Sequence, residues 1–163
     1  MLPYQQDGRE LKEKIVFCWS GGKDSALALN RILRDERYEV VSLLTTCNEH
    51  FQRVSMHGVR LELLDAQAQA IGLPLEKIFV SQRSSNEEYQ QKMSACLLAH
   101  KARGITGCAF GDIFLEDLKR WREDNLARVG LRGIFPIWKK MRYDCWSPTG
   151  RCSRKRPAGS MKF

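Results

Sequence analysis

No apolar run in this 163-residue chain is long enough to span a bilayer, so no transmembrane helix is expected. The first seven residues, Met1 to Asp7, lack the basic region and apolar stretch of a signal peptide, and a cytosolic location is the expectation. None of the six cysteines forms a Cys-x-x-Cys pair, which removes both a zinc knuckle and a thioredoxin-type redox centre. No other metal-cluster spacing is visible, so no metal ligands are assigned, and His50 and His100 carry no signal of their own. A Gly-x-Gly-x-x-Gly dinucleotide motif is missing. So is a Walker A loop, because Asp24 follows Gly22-Lys23 where that motif needs Ser or Thr.

What is present fits one soluble α/β domain. Hydrophobic residues make up 43% and charged residues 28%, enough of each for a single core with a solvated surface. The net charge of +8 is unevenly placed. Residues 139–163 hold eight Lys and Arg against Asp144 alone, while 19 of the 27 basic and 18 of the 19 acidic residues fall in the first 138. The body is nearly neutral, so a basic nucleic-acid face on it has no support.

Short apolar runs alternate with helical periods. Ile15 to Trp19 reads as a buried strand stopped by a Gly pair, and Ala26, Leu29 and Leu33 then fall at helical spacing. A second strand is expected over residues 38–46, and a polar loop over 47–57. Leu61, Leu64, Ala68 and Ile71 mark a helix closed by Gly72. Further strands are expected at 77–80, 108–110 and 133–136, with helices over 86–103 and from Leu115 to about Gly130. Cys18 and Cys108 fall in strand runs and read as buried thiols. This order predicts a doubly wound parallel sheet of about five strands, residues 1–138 forming one domain.

Ser20-Gly21-Gly22-Lys23-Asp24-Ser25 lies between the first strand and the first helix. The glycines let backbone approach an anion, and the helix end directs unpaired N–H groups toward it. Ser20 and Ser25 add hydroxyls and Lys23 a positive charge, while Asp24 can either cap the helix or orient Mg2+. A Gly-rich turn with no ligand is the alternative for a bare Gly-Gly; the six residues in this context favour a phosphate site.

This hexapeptide resembles the PP-loop of N-type ATP pyrophosphatases, which adenylate a substrate and release pyrophosphate. Residues 55–60, residues 67–75, Phe110-Gly111-Asp112-Ile113, Trp121-Arg122-Glu123 and residues 135–138 narrow the likeness to the diphthine–ammonia ligase family, over roughly residues 14–138. The resemblance implies that ATP and ammonia convert a carboxylate to an amide, the acceptor being a modified histidine of elongation factor 2. On that reading Lys23 and Asp24 are the catalytic candidates. The ATP contacts are residues 20–25, Thr45, Thr46, Gly111 and Asp112, and the acceptor side is Asn48, Glu49, His57 and Arg60. His57 reads equally well as part of a structural helix start. Trp121, Arg122 and Glu123 are expected to pack and pair rather than catalyse. A PP-loop enzyme that modifies tRNA and an ATP-binding remnant without turnover are the competing functions.

The family resemblance stops near Trp138. Its members continue and end in an acidic Gly-Glu-x-Gly-Glu-like segment, whereas residues 139–163 are basic, without hydrophobic period, and read as a disordered tail. Either this is a basic extension toward an acidic partner or RNA, or it is the out-of-frame remnant of a truncated gene; the abrupt change of composition favours the second.

Overall fold

The computed structural model describes residues 11–48, 53–54, 59–81 and 86–140. The elements are β1 (Glu13–Cys18), α1 (Lys23–Leu33), β2 (Tyr38–Asn48), β3 (Arg53–Val54), α2 (Leu61–Ile71), β4 (Leu75–Val80), α3 (Asn86–Ala102), β5 (Gly107–Ala109), α4 (Glu116–Val129) and β6 (Arg132–Ile134). Five strands pair in parallel in the order β4-β2-β1-β5-β6, and β3 adds an antiparallel pair to the end of β2. The expected fold class is the observed one. Among the described residues no helix is long and apolar enough to cross a membrane.

Strand alternation sorts the core into two layers. Ile15, Phe17 and Leu43 face one way and pack with Ala28, Leu29 and Ile32 of α1 and Leu64 and Ala68 of α2. Val16, Leu44 and Cys108 face the other way, against Leu97 of α3 and Leu126 and Val129 of α4. Helices therefore cover both faces of the sheet. The end of α2 follows from its sequence: Gly72 takes φ +80, a left-handed conformation that costs other residues, and its N–H closes on the Ala68 and Gln69 carbonyls.

Two expectations need correction. The buried stripe of α1 is Ser25, Ala28, Leu29 and Ile32, while Leu33 is 51% exposed and Ala26 is exposed. Close approach of Ser25 to Gly111 turns that face inward, one position round from the expected stripe. The second strand also runs past Thr46 to Asn48, because β4 pairs with it through Cys47↔Phe79 and Asn48↔Val80 while β3 takes the opposite edge. The segment expected to be loop thus contains the end of β2 and all of β3; its remaining residues, and residues 141–163, lie outside the described ones.

At the other end of the sheet, Glu13 of β1 ties three strands together. It accepts hydrogen bonds from Thr106 Oγ1 at 2.7 Å and Arg132 Nε at 2.8 Å, and Arg132 Nη2 closes on its second oxygen. The Arg132 hydrogen bond holds this carboxyl below its usual range, with burial opposing. A depressed carboxyl leaves the unfolded chain binding more protons, so its contribution is complete above the ordinary carboxylate range and fades as pH falls through it. Glu13→Gln is expected to lower stability near neutral pH by about 1 kcal/mol. The gap to wild type should shrink toward about pH 3, as read from urea unfolding at both pH values.

Candidate functional site

The topology places a crevice between β1 and β5. The chain leaves β1 through α1 to β2 on one side, while β5 and β6 lie on the other, so the strand order reverses at this point. The carboxyl ends of both strands open there, and both carry glycine turns.

After β1 the Trp19 N–H donates to the Leu44 carbonyl at 2.7 Å, and the chain turns through residues 20–22 into α1. Gly21 has φ +72, and a Cβ on it would meet Leu64 Cδ2 at 2.9 Å and Gln67 Oε1 at 3.0 Å. Gln67 braces the turn from α2: its Oε1 accepts from Trp19 Nε1 at 3.2 Å and its Nε2 donates to the Gly21 carbonyl at 3.4 Å. Inside the loop the Gly22 N–H donates to Ser20 Oγ at 3.4 Å and the Ser20 N–H to Ser25 Oγ at 3.3 Å. The N-cap of α1 is Gly22, which has no side chain to cap the helix, and Asp24 sits within the first turn rather than at the cap. The first-turn N–H groups have no intrahelical acceptor and face the crevice end of the sheet.

From just beyond the neighbouring strand β5, Gly111 closes the back of this turn. A Cβ there would lie 2.8 Å from Ser25 Cα and 3.0 Å from Ser25 N, so the start of α1 rests directly on the Gly111 backbone.

These turns border a cleft of about 590 Å³. Ser20, Gly22, Lys23, Asp24 and Ser25 line it from the loop, Thr45 and Thr46 from the end of β2, and Gly111 and Asp112 from beyond β5. Gly21 supports the loop from behind without lining the cleft. Asn48, two residues past Thr46, and Arg60, the N-cap of α2, are not among the lining residues, so the fold does not bring them to the cleft. Glu49 and His57 lie outside the described residues.

The structure also adds residues that sequence reasoning passed over. Arg122 lines the cleft with its side chain only 13% exposed, its Nε 2.7 Å from Asp112 Oδ2 and its guanidinium 4.3 Å above the Phe110 ring centroid. The Nε–Oδ2 contact is short but poorly aligned as a hydrogen bond, and Nη2 reaches Oδ1 at 3.5 Å; the pair is held chiefly by charge. Burial works against the Arg122 charge, and the Cys18 and Asp112 groups nearby more than offset it, so the guanidinium stays charged. The expectation that residues 121–123 only pack and pair holds for Trp121, which lies against Tyr89, and for Glu123, paired with Lys119. It misses Arg122. The signal was the i, i+4 pattern from Leu118 to Arg122, both of which reach the cleft.

Leu44, Tyr89, Met93, Phe114 and Leu115 give the cleft an apolar side, Phe114 and Leu115 being 67% and 58% exposed at its rim. Burial pushes the Tyr89 hydroxyl up to about 12, so it is a neutral donor. Beneath it, Cys18 Sγ lies 3.4 Å from Cys108 Sγ, and both thiols are free. The hydrogen bond from Cys108 sets Cys18 lower than an ordinary thiol, with burial opposing, and Cys108 correspondingly higher.

Residues 13–133 match the family described as the diphthamide synthase N-terminal domain. No curated protein is similar enough in sequence to match the chain. Among solved structures it is similar to the U34-tRNA thiolase NcsA from Methanococcus maripaludis with its 4Fe-4S cluster, at 13% identity and a TM-score of 0.46. That likeness covers 82% of this chain and 55% of the thiolase, so the chain spans little more than half the length of that protein. With about three quarters of its residues inside the family match, the chain belongs to the diphthamide synthase N-terminal domain family of the PP-loop superfamily, whose members are ATP-utilising enzymes.

Proposed function

We propose that the cleft binds ATP with its β- and γ-phosphates on residues 20–25 and that the chain is an ATP-dependent carboxylate–ammonia ligase. The observation that carries this reading is the uncapped start of α1, resting on Gly111 and opening on a cleft whose other wall is Thr45 and Thr46. Backbone N–H groups and the helix dipole there suit a polyanion, and Lys23 adds a full charge. The apolar side, from Leu44 to Leu115, suits a nucleobase.

The reaction is the one that the resemblance to the ligase family implies. A carboxylate oxygen attacks the α-phosphorus, the α–β bridging bond breaks, and pyrophosphate departs held by the loop. Ammonia then attacks the acyl carbon, AMP leaves, and a proton is lost as the amide forms. Ser20, Gly22 and Lys23 stabilise the charge that grows on the leaving pyrophosphate, the interaction that accelerates such a step. Magnesium takes oxygen ligands, and the oxygen-rich wall of Ser20, Asp24 and Ser25 fits it; bound there it would neutralise phosphate charge. Asp112 is engaged by Arg122. One candidate acceptor is the modified histidine of elongation factor 2 used by the ligases this chain resembles.

Gly22→Asp tests the reading. Gly22 has φ −89, and a Cβ on it would meet only Ser20 Oγ, at an ordinary 3.5 Å, so the fold should survive while a carboxylate enters the anion site. Wild type is expected to release AMP and pyrophosphate from Mg-ATP when ammonium and a carboxylate acceptor are supplied, and the variant to lose about 100-fold or more of that rate. Binding without release under any acceptor would identify a non-catalytic nucleotide binder, and release that requires tRNA would indicate base adenylation. Failure to bind ATP would remove the proposal.

A further inference from the structure

A second cluster of chemistry-bearing side chains lies away from the cleft, where α3 packs on the edge strand β4. We propose that Glu76, Cys96 and His100 form a binding site for a borderline-soft divalent cation of the zinc type, with three protein ligands and solvent in the fourth position.

The fold supplies the convergence. Cys96 and His100 stand one helical turn apart, so their side chains are neighbours on α3. Glu76 meets both from β4: its Oε2 lies 3.0 Å from His100 Nε2 and 3.9 Å from Cys96 Sγ, and the three ligand atoms all lie within 4.8 Å of one another. Tetrahedral zinc, with bonds of about 2.0–2.3 Å, separates its ligand atoms by roughly 3.3–3.8 Å. The observed spacings straddle that range, so small rotations of Glu76 and Cys96 would close the site.

Burial and donor chemistry point the same way. His100 is 2% exposed and its Nε2 faces Glu76 and Cys96. Packing already fixes the ring, which lowers the entropic cost of ligation. Glu76 is 39% exposed and leaves an entry path. Arg103 Nη1 lies 4.0 Å from its other oxygen, Oε1. One sulfur, one nitrogen and one oxygen match zinc; magnesium and calcium would take oxygen alone.

None of the three residues lines the nucleotide cleft, but α3 carries Tyr89 and Met93 into its wall. A cation here would clamp that helix to the sheet, releasing the Cys96 proton to solvent as it binds.

The test uses the full chain with Cys145→Ser and Cys152→Ser, which removes the tail thiols as competing ligands. Titration with zinc chloride is expected to show one ion per chain and a raised melting temperature. Cobalt(II) should give a near-ultraviolet thiolate charge-transfer band with tetrahedral visible absorption. Cys96→Ser and His100→Gln in this background should each weaken zinc by more than about ten-fold. Unchanged affinity in Cys96→Ser, or a cobalt spectrum without the thiolate band, would overturn the proposal. Cys96→Ser is nearly isosteric at a half-buried position, so it remains informative if His100→Gln fails to fold.

Discussion

Gly111→Ala is expected to cost about 2–3 kcal/mol of stability and, in the same protein, to remove ATP binding. The added Cβ would sit 2.8 Å from Ser25 Cα and 3.0 Å from Ser25 N. Those are backbone atoms of a helix whose next turns, Ala28, Leu29 and Ile32, are locked in the core, so nothing flexible can yield. The clash can be relieved only by pushing the start of α1 off the end of β5. That movement separates the loop from Gly111 and Asp112 and opens the cleft between them. Gly22→Ala is the matched control for stability: its Cβ meets only Ser20 Oγ, at an ordinary 3.5 Å, and its φ is negative, so its unfolding should stay close to wild type. Urea unfolding of the two variants and calorimetric titration of ATP on Gly111→Ala check this. A Gly111→Ala protein with unaltered melting and affinity would mean that the two strand ends are not in register as described.

The sequence displayed the loop but not its supports. Residues 20–25 are local, so glycine, hydroxyl and charge could be read from six adjacent letters. The strands were legible because buried parallel strands are short apolar runs with no alternation, as in Ile15 to Trp19 and residues 108–110, but their order in the sheet was not. Gln67 was a different matter. It braces Gly21 and Trp19 from 46 and 48 residues away, and nothing in the helical period of α2 distinguishes it from a solvated glutamine. The stripe of α1 was missed by one position because Leu33 is more apolar than Ser25, yet Ser25 lies against Gly111, just beyond β5. Asn48 and Arg60 were assigned to the acceptor side on the family likeness, and neither lines the cleft. The Glu76, Cys96 and His100 cluster hid because its oxygen comes from a different element.

Arg122→Met is expected to destabilise the protein by about 3–5 kcal/mol, more than its loss of packing alone would account for. The methionine preserves much of the apolar stem against Phe110. What it removes is the charge that faces Asp112, whose side chain is 16% exposed. An isolated carboxylate that deep is poorly solvated, so the cost is set by the stranded partner and not by the intrinsic strength of the pair. Asp112→Asn combined with Arg122→Met should therefore recover a large part of the loss, an interaction that a double-mutant cycle in urea would measure directly. Arg122→Lys should fall between, because an ammonium keeps the charge but cannot reach both carboxylate oxygens or stack flat on the ring. If the double variant is no more stable than Arg122→Met, the pair is not coupled and Arg122 acts through packing alone. Recovery of stability without recovery of ATP turnover would show that Asp112, besides being a buried charge that the fold must neutralise, also serves the nucleotide proposed for the cleft it lines.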